Sequence, residues 1–234
     1  MLGIPIMIQA RIGSSRLPAK PFLMISKKKS VIQVLCKRAQ LISKKLGLSN
    51  SVYLVTPIDE VEVFRKLLGS SENVIIHGGS ENNVAQRYAS AMEKYNIDAC
   101  FRVTSDNPFL VIEVFAEILK HKEELEDNAI SFYHQKKLPN GTVISLITKN
   151  YISQAAKSSC ILANEHLILT KDESLLDKII TPKIDKKLCN PNLRFCLDNL
   201  DDYRYILGKN INLDRLSYKY IYKIFNDRKV IECY

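Results

Sequence analysis

The sequence has 234 residues, of which 46% are apolar and 25% charged, a composition that excludes a disordered chain and needs no disulfide or structural metal to build a core. Lys and Arg number 34 against 25 Asp and Glu, giving a formal charge of +9. The excess is confined: residues 1–50 hold ten basic side chains and no acid, while the rest of the chain carries −1, which points to a local site for an anionic ligand rather than to a uniformly basic surface.

Taken in chain order, Ile4–Ile8 reads as a short buried strand, followed by a loop to Lys20. Ser30–Leu46 has helical spacing, with Ile32, Leu35, Cys36, Ala39 and Ile42 on one side. Val52–Val55 is the next strand, and Asp59 is placed to cap a helix carrying Val61, Phe64, Leu67 and Leu68. Val74–Ile76 is a third strand, and Ser80 or Glu81 opens a helix to about Tyr95. Ala99–Val103 is a fourth strand, Val111–Leu125 a helix and Ala129–Tyr133 a fifth strand. The alternation then becomes less regular. Pro139-Asn140-Gly141 signals a turn, Val143–Ile147 an alternating strand, 148–157 and 163–169 helices, and Leu193–Leu197 a late strand before helices at Leu200–Leu207 and Tyr218–Phe225.

Strands alternating with helices over short loops predict a mostly parallel sheet with helices on both faces. In such sheets ligands bind beyond the carboxyl ends of the strands, so the loops after Ile8 and Val103 are where chemistry is expected. The six cysteines show no CxxC or Cys/His zinc spacing, and Cys36, Cys100 and Cys196 read as reduced thiols in apolar segments. No apolar run is long enough for a membrane helix, and Leu2–Ile8 lacks the features of a secretory leader, so a cytoplasmic protein is expected.

The loop after the first strand reads Gln9-Ala10-Arg11-Ile12-Gly13-Ser14-Ser15-Arg16-Leu17-Pro18-Ala19-Lys20. A turn of small residues flanked by three cations suits phosphate oxygens, which backbone amides, planar Arg forks and a Lys point charge all bind. The competing reading is a solvated basic loop. There is neither a GxxxxGK[ST] P-loop nor a GxGxxG fingerprint.

The string resembles the N-terminal signature of the CMP-sugar synthetases, sugar-activating cytidylyltransferases, and within them the branch named after spore coat polysaccharide biosynthesis protein F, with the pattern QAR-x-GS-[ST]-RLPGK. Ala19 stands for the usual Gly, at a position read as needing only a small residue. Further segments match in order: Gly79-Ser80-Glu81-Asn82-Asn83-Val84 through Arg87-Tyr88 resembles G-S-E-x-D-V-L-x-R-Y, with Asn83 for Asp; Arg102-Val103-Thr104-Ser105-Asp106-Asn107-Pro108 resembles R-[IV]-T-G-D-x-P; Asn164-Glu165-His166 resembles R-E-H; Leu197-Asp198-Asn199 resembles the late V-D-T.

The resemblance implies a Rossmann-like three-layer α/β/α fold of the nucleotide-diphospho-sugar transferase type, spanning 1–234 as one domain, with an acceptor and dimerisation segment around 134–190. It implies a CTP-dependent enzyme that activates an acidic sugar for surface polysaccharide synthesis. Gln9, Ala10, Arg11, Gly13, Ser14, Arg16, Lys20 and Arg87 would bind the nucleotide, with Arg11, Arg16, Lys20 and Asp106 catalytic. Asn107, Glu165 and His166 would touch the acceptor, and Asp106 and Asp198 would hold Mg²⁺, a cation that favours one or two carboxylates plus phosphate oxygens. A homodimer is expected, and neither a membrane nor a nucleic-acid partner.

Plainer readings stand beside these. Asp106 suits a helix N-cap before Pro108, and Asp198 a cap of the 200–207 helix, where Asp201 and Asp202 complement the helix dipole. Arg87 suits a surface salt bridge, His166 a packed histidine, and Lys27–Lys29 a solvated turn. Arg102, in an otherwise apolar strand, needs a partner, read as a carboxylate. Gly141-Thr142-Val143-Ile144-Ser145 departs from the family's G-x-D-[VA]-E, so two acids are absent at Val143 and Ser145 and the acceptor is not named. The rival functions are a nucleotide-sugar-dependent glycosyltransferase, which would normally carry Asp-x-Asp where this chain has Ser105-Asp106-Asn107, and a basic nucleic-acid binder, for which no motif is present.

Overall fold

The structure, a computed structural model, describes residues 3–14, 16–26, 29–69, 73–161, 166–168 and 172–227. Its centre is a seven-stranded sheet. Strand β1 (Ile6–Gln9) lies between β4 (Val52–Pro57) and β6 (Ala99–Thr104), parallel to both, and β4 pairs in parallel with β5 (Val74–Gly79). A separate antiparallel pair, β2 (Met24–Ser26) with β3 (Lys29–Ser30), follows the first loop. Beyond β6 the direction changes. β8 (Ser145–Thr148) runs antiparallel to β6 and to β7 (Ala129–Ser131), and β7 pairs in parallel with β9 (Ile179–Ile180). The order is β5-β4-β1-β6-β8-β7-β9, the mostly parallel α/β arrangement expected.

Period-two alternation divides each central strand between two cores. Ile6 and Ile8 of β1, with Phe101 and Val103 of β6, face α1 (Val31–Leu46) and α4 (Ile112–Leu119). Met7 and Cys100 face the other way, against Tyr88 and Met92 of α3 (Val84–Lys94) and Tyr151 and Ile152 of α5 (Lys149–Lys157). Cys36 and Cys100 are buried among these apolar groups, as read from sequence, whereas Cys196 is buried with its Sγ 3.6 Å from Asp198 Oδ2. No helix of the described residues is long and apolar enough to cross a membrane.

Local chemistry explains the element bounds. Ser30 precedes α1, and its N–H donates to the Gln33 side-chain oxygen at 2.9 Å. Asp59 is not a cap: Ile58–Glu60 form a 3-10 turn ahead of α2 (Val61–Leu68), whose cap position is Glu60. Neither Ser80 nor Glu81 opens α3. Asn83 does, accepting from the Gln86 N–H at 2.8 Å while its amide donates to the Ala156 carbonyl at 3.3 Å, a second bond that the family's Asp could not donate. The 111–125 helix divides into α4 and a 3-10 turn at Lys122–Glu124.

Leu193–Leu197 is not a strand. Among the described residues Arg194 bridges Asn140, no named strand forms, and the apolar side chains are buried by packing rather than by a ladder. Gly141 makes this possible. Its φ is +95°, and a Cβ there would lie 2.4 Å from the Cys196 nitrogen, so only glycine lets the two segments pass.

Candidate active site

A cleft of about 290 Å³ opens at the carboxyl ends of β1 and β6, as the parallel topology predicts. Its first wall is the loop after β1. The Ile12 N–H donates to both oxygens of Glu60, at 3.0 and 2.9 Å, and Thr56 donates its hydroxyl to the same carboxylate at 3.1 Å. Ala19 N–H donates to the Ile12 carbonyl at 3.1 Å, which closes the loop on itself, and Leu17 plugs it into the core. Ala19 has φ 52° and ψ 27°, in the left-handed region. The position therefore favours glycine for its backbone, not merely for its size.

The loop cations meet an acid from far along the chain. Lys20, 8% exposed, reaches Asp198 Oδ1 at 3.3 Å, and the exposed Arg16 reaches the same oxygen at 3.5 Å. Arg194 bonds Asp198 Oδ2 at 3.1 Å and Asp202 Oδ2 at 2.9 Å. Burial pushes the Asp198 carboxyl up, but Lys20, Arg16 and Arg194 outweigh it and hold the pKa below its usual value. Asp198 does not cap the Leu200–Leu207 helix; Asn199 does, accepting from Asp202 N–H at 2.9 Å. Cys196, Asp198 and Asp202 form a compact acidic cluster, but Arg194 already spans its two carboxylates.

Asp106 follows β6 in a tight turn, with Ser105 N–H bonded to the Gln9 carbonyl at 3.0 Å and Asn107 N–H to the Thr104 carbonyl at 3.1 Å. It caps no helix, since α4 begins at Ile112 behind Val111. Its carbonyl accepts from the Leu197 N–H at 2.8 Å, which tethers the chain just ahead of Asp198 to the Asp106 turn. Asp106 Oδ1 is buried with no hydrogen-bond partner among the described residues. A buried carboxylate oxygen in that state is costly unless a cation or donor meets it.

Gln9, Ala10, Arg11, Gly13, Ser14, Arg16, Lys20, Arg87, Asp106, His166 and Asp198 all line this cleft. Asn107 does not, because its amide donates to Thr104 Oγ1 at 2.8 Å and is spent on the turn. Glu165 lies outside the described residues. Arg87 is no surface ion pair: it is 1% exposed, and its guanidinium donates to the Ser80 and Glu81 carbonyls at 2.8 and 3.0 Å, fixing the turn after β5. His166 is exposed at the cleft rim rather than packed in the core. Arg102 is not paired with a carboxylate as expected; its Nε donates to Gln9 Oε1 at 3.0 Å.

Sequence reasoning missed Glu60 and Arg194. Arg194 had a signal, its spacing of four and eight residues from Asp198 and Asp202. Glu60 had none, because it acts across 48 residues on a backbone amide.

Comparison with known proteins settles the class. The family model described as cytidylyltransferase matches residues 6–207. The chain belongs to the cytidylyltransferase family. It is thus a nucleotidyltransferase, and the resemblance read from its motifs holds. A cytidylyltransferase structure from Leptospira borgpetersenii superposes with a TM-score of 0.74 at 21% identity, over 96% of this chain and 94% of that one. An uncharacterized protein of Methanocaldococcus jannaschii is 26% identical over 90% of this chain and 84% of its own. A 3-deoxy-manno-octulosonate cytidylyltransferase of Histophilus somni is also 26% identical, over 63% of this chain, which spans 57% of that relative's length.

Proposed function

We propose that this cytidylyltransferase transfers the cytidylyl group of CTP to an acidic sugar or a related acceptor and releases pyrophosphate, in surface glycan synthesis. The observation that carries the reading is the convergence of the cationic β1 loop with Asp106 and Asp198 in one cleft. The match to a 3-deoxy-manno-octulosonate cytidylyltransferase supports a sugar acid as acceptor.

An acceptor oxygen attacks the α-phosphorus, and the bond from that phosphorus to the bridging oxygen of pyrophosphate breaks. Arg11, Arg16 and Lys20 bind the β- and γ-phosphates and neutralise the leaving group. The triphosphate would take over Arg16 and Lys20 from Asp198, freeing its Oδ1 while Arg194 still holds Oδ2. Arg87 holds the turn after β5, which forms the facing wall. No side chain forms a covalent bond to substrate, so positioning and electrostatics supply the rate.

The donor set fits Mg²⁺: Asp106 and Asp198 are hard oxygen ligands lining the same cleft, and Asp106 Oδ1 is buried without a partner among the described residues. When bound, Mg²⁺ would offset charge at the α-phosphate. Pairing of two chains through 134–190 belongs to the same proposal, and sedimentation tests it.

The test is pyrophosphate release from each of the four nucleoside triphosphates with Mg²⁺ and a panel of sugar acids and neutral sugars. Release with CTP and an acid is expected. Transfer from a finished nucleotide sugar without pyrophosphate would favour a glycosyltransferase instead.

A further inference from the structure

We propose that Arg102 is the residue that reads the acceptor, its guanidinium taking an oxyanion group, carboxylate or phosphate, at the floor of the cleft. The inference rests on the nucleotidyltransferase reading above and adds the residue that selects the second substrate.

Arg102 stands near the middle of β6, on the sheet face that packs against α3 and α5, with Tyr88, Cys100 and Tyr151 around it. A charge in that setting is costly unless something compensates it. Among the described residues its hydrogen bond is the one from Nε to Gln9 Oε1, a neutral acceptor, and no carboxylate forms an ion pair with it. Its two Nη groups are not among the buried unpartnered atoms, and the residue lines the cleft. The fork is therefore open on the side where substrate enters, while Gln9 fixes its other edge.

Register explains why no protein acid meets it. Ser145 of β8 is the direct cross-strand partner of Arg102, and Ser131 of β7 is the partner of Ser145. The two serine hydroxyls bond each other at 3.0 Å, so the row across β6, β8 and β7 carries one cation and no carboxylate. Ser145 is also where the motif it departs from carries an acid. An acid at that place would stand opposite Arg102 and compete for the fork. Its absence leaves a guanidinium whose planar N–H pair matches a carboxylate or phosphate edge.

Arg102 shares a strand face with Thr104 and bonds Gln9, the last residue before the cationic loop, so an anion on its fork sits below that loop and beside the Asp106 turn. Asp106 is near enough to favour the charged form of Arg102 against the effect of burial. An acceptor held there by its acidic group is positioned beside the site assigned to the α-phosphate.

The experiment follows the arginine side-chain signals of the full chain, labelled with ¹⁵N-arginine, during titration with acetate and with inorganic phosphate, each with and without CTP. The Arg102 signal is identified by its loss in Arg102→Lys. The expected result is a saturable shift of that signal that persists in the presence of CTP. Ser145→Glu should abolish it, and Ser145→Ala should leave it intact. Arg102→Lys, which keeps the charge but not the fork, should weaken anion binding about tenfold, read by calorimetry. A response to acetate alone assigns a carboxylate acceptor, and a response to phosphate alone a phosphorylated one. An unmoved signal, an undiminished shift in Ser145→Glu, or displacement of the anion by CTP would each overturn the proposal. Anion binding at Arg102 without any CTP binding would sink the nucleotide reading alone.

Discussion

Ala19 shows how a residue can satisfy a motif and still strain it. Its φ of 52° lies where a β-carbon costs roughly 1–2 kcal/mol, partly offset by the greater unfolded freedom of glycine. Ala19→Gly should therefore stabilise the protein by up to about 1 kcal/mol and raise its melting temperature; a fall on thermal denaturation would contradict the left-handed assignment. Sequence could say that this position is small but not why, because the backbone angle comes from the Ala19–Ile12 bond that closes the loop. Asp106 was legible as a strand-end carboxylate. That it caps nothing and keeps a buried unpartnered oxygen depends on α4 starting six residues later.

At the scale of elements, the β1 loop is held by its neighbours more than by itself. Glu60 spends both carboxylate oxygens on the Ile12 amide, between Arg11 and Gly13. Glu60→Ala leaves that part-buried amide without its acceptor, a cost of about 1–3 kcal/mol. The expected outcome is a lower melting temperature together with a raised KM for CTP and a smaller change in kcat. A KM equal to wild type would show that the loop keeps its shape without this anchor. The strands β1, β4, β6 and β7 were readable as short buried apolar runs, and the half-buried edge strand β5 from Val74–Ile76. The start of α3 was not, because Ser80 and Asn83 are both competent caps, and the packing of Arg87 against Gly79 and the 80–81 turn selects the second.

At the scale of the molecule, the site depends on a long-range crossing. Asp198 reaches the cleft not from a strand end, as expected, but on an extended segment passing Gly141 and tied to Asp106 through the Leu197 amide. Gly141→Ala would drive a Cβ into the Cys196 backbone and impose an L side chain at φ +95°. It should cost several kcal/mol, roughly 3 or more, and lower activity by displacing Asp198; a variant with wild-type stability by denaturant unfolding would refute that account. The reversal of β8 between β6 and β7 was equally hidden, since hydrophobic periodicity reports which residues are buried and not which way a strand runs. The Leu193–Leu197 run has a strand's composition but acquires its burial from packing, so its pattern misled. The motifs at 9–20 and 102–108 were legible because their chemistry is local.

The charge asymmetry of the first 50 residues divides into cations that line the cleft, Arg16 and Lys20 among them, and others such as Lys44 and Lys45, exposed on the last turn of α1. Calorimetric titration of CTP with Mg²⁺ into the wild type, Arg16→Ala and Lys45→Ala tests that assignment most directly. Saturable binding is expected, weakened about tenfold or more by Arg16→Ala and unchanged within about twofold by Lys45→Ala. Absence of CTP binding, or equal losses in the two variants, would contradict it.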